Sequence, residues 1–251
     1  MPRWAQKALS GFKLHQMTLS SSLLGTGMYP LARAARLVGE DLRTVRRWLK
    51  GYAWKYREGH RVSSPLWSLQ YSQDEDLGEE QVLSFRDLLE LRTVARFVHQ
   101  GVSLQVIRAT IEVARETLGD YPLQSRRFVT DGKKIFLEAV ERVGEDPKLL
   151  DVRGRQFAID AVIRPSLIEG IEYDADSRAL RWFPLNKRRL IVLDPQIQFG
   201  EPIIADAGVP TDALASAFFA EGKNTGRVAR LYKVSSQAVQ AAVAFESRLA
   251  A

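Results

Sequence analysis

The run Tyr29-Pro30-Leu31-Ala32-Arg33-Ala34-Ala35-Arg36-Leu37-Val38-Gly39-Glu40-Asp41-Leu42-Arg43-Thr44-Val45-Arg46-Arg47-Trp48-Leu49-Lys50 decides the fold. Pro30 suits the first position of a helix, where its missing N–H would have no partner in any case. Leu31, Ala34, Ala35 and Val38 then recur at helical spacing, and Gly39 supplies a stop. Asp41 is placed to cap a second helix that runs to Lys50. Its inward face is Leu42, Val45 and Leu49, which leaves Arg43, Arg46, Arg47 and Lys50 facing outward. The pattern is helix, tight turn, helix, with the cations gathered on the second helix.

The following segment, 51–81, is rich in Tyr, Trp, Gly, Ser and Pro, which predicts a small β wing and a loop, with the wing tip near 58–61. Ser84 and Ser103 each open a helix, the first amphipathic and closed by Gly101, the second running to Leu118. A winged helix-turn-helix follows from this order. Duplex DNA carries one charge per about 1.7 Å of axis, so a cationic helix beside a basic wing matches its major groove. Arg43, Thr44, Arg46, Arg47 and Lys50 on the helix, with Tyr52, Lys55, Arg57 and Arg61 on the wing, are the expected contacts to double-stranded operator DNA. Arginine's planar fork can read guanine, whereas lysine more often sets the register on phosphates. The competing reading is an ordinary solvated helix face.

Residues 1–27 mix Ser, Gly and Lys without periodicity and read as a mobile tail, followed by the DNA-binding domain over 28–122. In 123–190 the apolar runs 127–130, 134–140, 156–163 and 179–183 are separated by Asp131-Gly132, Gly154 and the 174–177 turn, and predict a β-rich middle region. From Thr211 the chain is helical again, so 191–251 forms a helix-turn-helix-like three-helix unit. The fold class is mainly α with a small antiparallel β-sheet.

With 251 residues, 45% of them hydrophobic, the chain can bury a substantial core. It contains no run of about 18 apolar residues and no apolar signal block, which predicts a cytoplasmic protein without membrane contact. Having no cysteine and three scattered histidines, it has no expected disulfide, thiolate nucleophile, metal site or cofactor. The net charge of +6 and an isoelectric point of about 9.6 favour polyanionic partners. Glu169, Glu172, Asp174 and Asp176 cluster, but they flank a hairpin turn, where such residues serve backbone geometry. No nucleophile–base arrangement is legible, so the expectation is a non-enzyme.

The segments 29–37, Thr44-Val45-Arg46-Arg47-Trp48-Leu49, Leu83-Ser84-Phe85-Arg86-Asp87-Leu88-Leu89-Glu90-Leu91 and Gly101-Val102-Ser103-Leu104-Gln105-Val106-Ile107-Arg108 resemble the MerR family of bacterial regulators over roughly 28–120. Metal- or drug-sensing members continue into a long dimerising coiled coil. Here strands are expected after Gly119, a departure that argues against such sensing. The stretch Val192-Leu193-Asp194-Pro195-Gln196-Ile197-Gln198-Phe199-Gly200-Glu201-Pro202-Ile203-Ile204, with Gly208-Val209-Pro210-Thr211, Ala220-Glu221-Gly222 and Tyr232-Lys233-Val234-Ser235, resembles the DUF433 family. Together the two halves are similar to the VapB45-like antitoxins of type II toxin-antitoxin systems. That resemblance implies neutralisation of a PIN-type ribonuclease toxin and repression of the chain's own operon.

A PIN-type site gathers carboxylates around divalent metal, so a guanidinium would fit it. Arg153, Arg155, Arg188 and Arg189, in turn regions, are the candidate toxin contacts. The last helix is apolar and poor in cations. It suits core packing or a homodimer on a palindromic operator, with Val239, Val243 and Phe245 as the dimerisation stripe. Two other readings stay open: a MerR-like transcriptional regulator controlled by a small-molecule effector, and an adaptor whose basic surface is incidental.

Overall fold

The computed structural model describes residues 25–56, 59–72, 81–144, 169–185 and 188–250. Among these, eight α-helices alternate with four two-stranded antiparallel sheets, and one hydrophobic core runs from Tyr29 to Leu249. The fold is mainly α with small sheets, as the sequence predicts.

Strand β1 (Tyr29–Pro30) pairs with β4 (Val82–Leu83) and brings the start of the helix-turn-helix against the base of the central helix. Helix α1 (Leu31–Val38) ends at Gly39, whose φ of 77° is the left-handed conformation that lets its N–H close the last turn. Pro30 precedes α1 as its N-cap residue, one position before the expected one. Helix α2 (Leu42–Lys50) starts where the Asp41 carboxylate accepts from the N–H groups of Arg43 (2.8 Å) and Thr44 (3.1 Å). Strands β2 (Tyr52–Tyr56) and β3 (Gly59–Ser63) form the wing in regular register, Tyr52 opposite Ser63.

Helix α3 (Phe85–His99) opens with a capping box in which Ser84 and Asp87 satisfy each other's main-chain N–H. Instead of one apolar stripe it is buried nearly all round, charged residues included: Asp87, Glu90 and Arg92 are each at most 5% exposed. It is the axis of the molecule, with α1, α4 (Leu104–Leu118), α5 (Arg126–Val143) and the hairpin β5 (Ile171–Tyr173)–β6 (Ala179–Trp182) arrayed around it. Each buried charge has a partner. Asp87 also accepts from the Trp67 indole N–H (2.9 Å) and the Gln70 N–H (3.2 Å), and Arg92 donates to the Glu169 carbonyl (3.0 Å).

Glu90 accepts from the main-chain N–H of Gln124 (3.1 Å), and burial pushes its carboxyl up to about 8. A carboxyl raised from an unfolded value near 4.5 contributes its full stability below that value and loses it as pH rises through about 8. Glu90→Gln keeps an acceptor for Gln124 without the charge. It should raise stability by about 3 kcal/mol at pH 7 and flatten the pH dependence, a difference read by calorimetry at acidic, neutral and mildly alkaline pH. Identical pH slopes for the two proteins would contradict this reading.

The β-rich expectation for the middle region is overturned over 127–130 and 134–140, which lie in the single 18-residue helix α5. Phe128, Gly132, Ile135, Phe136, Ala139 and Val140 are its buried positions, a helical period. Phe97 of α3 stacks on Phe136 (5.9 Å between rings) and meets Phe128 edge-on. Ser125 caps α5, Gly144 ends it, and Asp131-Gly132 lies in mid-helix with Gly132 buried. A helix, not a strand, therefore follows Gly119 and the short turn at Pro122–Gln124. The expected strand at 156–163 lies outside the described residues, whereas that at 179–183 is met by β6 over Ala179–Trp182. At 174–177 the predicted turn stands: Asp174 accepts from the Arg178 N–H (2.8 Å), and Glu172 pairs with Arg181 (2.8 Å) and Arg189.

Strands β7 (Ile191–Val192) and β8 (Ile203–Ile204) lead to α6 (Thr211–Ala220), α7 (Thr225–Tyr232) and α8 (Ser236–Ala250). This unit is seated on the helix-turn-helix. The Tyr29 hydroxyl donates to the Gly200 carbonyl (2.8 Å) and the Met28 N–H to that of Phe199 (2.8 Å). Arg33 of α1 grips Glu246 of α8 with two bonds (2.9 and 3.0 Å) and reaches Glu201 at 3.3 Å. For both carboxylates burial opposes charge. At Glu246 the Arg33 and Thr211 hydrogen bonds prevail and hold it below the usual range, while Glu201, with one longer contact, is raised. Residues 25–27, read with the tail, are held as well: Thr26 accepts from the Phe85 N–H and Gly27 from the Tyr71 hydroxyl. The rest of that segment lies outside the described residues.

Candidate nucleic-acid interface

Arg43, Arg46, Arg47 and Lys50 recur at i, i+3, i+4 and i+7, so they share one face of α2, and all four are exposed. The opposite face, Val45, Trp48 and Leu49, is buried and fixes the helix's rotation about its axis. Thr44 lies between the faces, half-buried, its N–H held by Asp41. The face is thereby set by packing behind it and by a cap at its start.

The wing continues this surface. The Arg47 guanidinium lies 4.0 Å over the Tyr52 ring, and Tyr52 packs against Trp54 at 5.2 Å, so the last turn of α2 and the root of the wing are joined by an aromatic–cation stack. Lys55, His60 and Arg61 are exposed on the hairpin. Arg57 lies outside the described residues. Gly51 makes the sharp exit from α2 at φ 71°, and a Cβ there would collide with the Ser63 carbonyl. Sequence reasoning missed Arg108, which reaches from α4 to the Ser63 hydroxyl (3.2 Å) and the Ser64 carbonyl (2.8 Å) and ties the wing root to the core. It also missed the exposed wing residues Trp54 and Val62. Alternation along the hairpin was the only available signal for those two.

The other candidates fare differently. Val239 and Phe245 are buried in the chain's own core against the neighbouring helices, so the dimerisation stripe read from the sequence is corrected: α8 spends it internally. Val243 is half-buried against the same core. Arg189 is committed within the chain, paired with Glu172 and lying 4.2 Å over the Phe183 ring, whereas Arg188 is exposed. Arg153 and Arg155 lie outside the described residues. Among the described residues no group of three or more His, Asp or Glu side chains is arranged to hold a metal ion, and no helix is long and apolar enough to cross a membrane.

The architecture is a helix-turn-helix with a two-stranded wing, joined through a central helix to a C-terminal three-helix unit. Residues 191–245 match the family described as "Protein of unknown function (DUF433)". The chain is 25% identical over 190 residues to a protein of Mycobacterium tuberculosis named "Putative antitoxin VapB45", an overlap of 72% of this chain and 78% of the relative. Its fold is also similar to the crystal structure of Rv2018 from Mycobacterium tuberculosis, with a TM-score of 0.62 at 20% identity, covering 88% of this chain and 98% of that one.

Proposed function

We propose that this chain is an antitoxin-type DNA-binding protein, not an enzyme, that represses its own operon and neutralises a PIN-type ribonuclease made beside it in the cytoplasm. The observation that carries the DNA half is the four-cation face of α2, exposed, rotationally fixed and continuous with the wing. Similarity to a relative named as an antitoxin, over most of both chains, supports the toxin half. Two copies on a two-fold operator complete the reading, with self-association carried by surface other than the buried Val239 and Phe245.

The test is ribonuclease activity of the protein encoded by the adjacent reading frame, titrated with the full-length chain. Cleavage should end near equimolar chain. Undiminished cleavage in molar excess would overturn the antitoxin assignment. An Arg188→Ala variant inhibits with a weakened midpoint if the exposed arginine contacts the nuclease carboxylates, and at the wild-type midpoint if it does not.

A further inference from the structure

The central helix α3 and the end of the β5–β6 hairpin line an open cavity of about 470 Å³, whose walls include Arg92, Arg96, Trp182, Phe183 and Arg188. A second cavity of about 310 Å³ shares Arg92, Arg96, Trp182 and Pro184 with it and extends to Arg36 at the end of α1 and Arg248 at the end of α8. The two form one cleft. Among its described lining residues are five arginines and a single carboxylate, Glu169.

The chemistry of this cleft is unusual for a structural packing site. Arg92 is 5% exposed, donates to the Glu169 carbonyl and lies 5.2 Å over the Trp182 indole. One turn along α3, Arg96 has its Nη1 buried with no hydrogen-bond acceptor. A buried guanidinium nitrogen without an acceptor is costly, and a second guanidinium beside it adds to the cost. Burial, and then the neighbouring Arg96, draws the Arg92 guanidinium down to about 9; burial lowers Arg96 as well. Against the five guanidinium groups, Glu169 is the one carboxylate among the described lining residues, so the cleft keeps an excess of positive charge. An aromatic wall, Trp182 and Phe183, stands beside the cations, and the volume is that of a small-ligand site.

We propose that this cleft binds a small phosphorylated molecule with a planar ring, of the nucleoside monophosphate class, its phosphate on Arg96 and Arg188 and its ring against Trp182. A dianionic phosphate matches several guanidinium groups better than a monocarboxylate does, and the parts of Trp182 and Phe183 that line the cleft offer apolar contact to a planar ring. Gly39, which leads directly into the recognition helix, belongs to the cleft wall. Occupancy therefore reaches the turn that feeds the DNA-facing helix, although the binding site itself does not depend on the DNA-binding assignment.

The test is calorimetric titration of the full-length chain with nucleoside 5′-monophosphates, the corresponding nucleosides and inorganic phosphate. At least one monophosphate should bind saturably with one site per chain, at least about tenfold tighter than its nucleoside and than inorganic phosphate. Arg96→Gln should weaken that binding at least about tenfold, while the thermal midpoint of the empty protein stays the same or rises, because a buried guanidinium nitrogen without an acceptor has gone. Arg188→Gln, an exposed position that cannot disturb the core, should weaken it too. No saturable binding of any monophosphate, equal binding of nucleoside and monophosphate, or wild-type affinity in both variants would overturn the proposal.

Discussion

Replacing Arg43, Arg46 and Arg47 together with alanine should lower affinity for the DNA upstream of the chain's own gene by about a thousandfold, with no loss of folding. Each base-reading contact is worth roughly 1–3 kcal/mol, and each phosphate contact adds to a salt-dependent term shared by all sequences. The three side chains lie on the exposed face of α2, whereas Asp41 caps the helix and Val45, Trp48 and Leu49 hold it from behind. Alanine is also the best helix former, so the thermal midpoint should stay within a few degrees of wild type. Fluorescence anisotropy with the upstream duplex, beside a melting curve, makes the measurement. Wild-type affinity in a folded triple variant would refute the recognition-helix assignment. The single Arg47→Ala variant also loses the stack on Tyr52 and should loosen the wing as well.

Gly200→Ala should destabilise the protein by more than about 3 kcal/mol, a drop in melting temperature on the order of 10 °C for a chain of this size. Gly200 sits at φ 84°, where an L side chain is strained. A Cβ there would also fall well inside van der Waals contact of the Tyr29 hydroxyl and 2.8 Å from the ring carbon that bears it. That ring is fully buried and cannot retreat. The collision strikes where the helix-turn-helix half and the C-terminal unit meet, beside the Arg33–Glu246 pair. Adding Tyr29→Phe removes the clashing oxygen. In the Gly200→Ala background it should recover part of the loss, although alone it costs the hydrogen bond to the Gly200 carbonyl. A Gly200→Ala protein that melts like wild type would show that the seam is not built as described.

What the sequence made legible was local. Gly39, Asp41, Ser84 and Ser103 act within a turn of their own position, and the caps they form are where the sequence predicts. The outward cations of α2 were legible because a helical period sorts faces without knowledge of the rest of the chain. Helix α5 was not. Its Phe-Val-Thr and Ile-Phe-Leu runs have strand propensity and Asp131-Gly132 is a strong hairpin signal, but burial of Phe128, Ile135 and Phe136 along one helical face outweighs both. Val239 and Phe245 show the other limit: an apolar stripe announces that it must be covered, and only the tertiary structure shows that its own chain covers it. The Arg92–Arg96 cleft and the Tyr29–Gly200 contact join residues far apart in the chain, and no spacing rule reaches them.

Whether α2 reads the chain's own upstream DNA is decided by wild-type affinity for that duplex against a shuffled duplex of the same length and composition. Measured by anisotropy at about 150 mM salt, the upstream duplex should bind on the order of a thousandfold tighter, since base contacts add to a phosphate term both duplexes share. Equal affinity for the two would contradict the account and reduce the arginine face of α2 to a solvated surface.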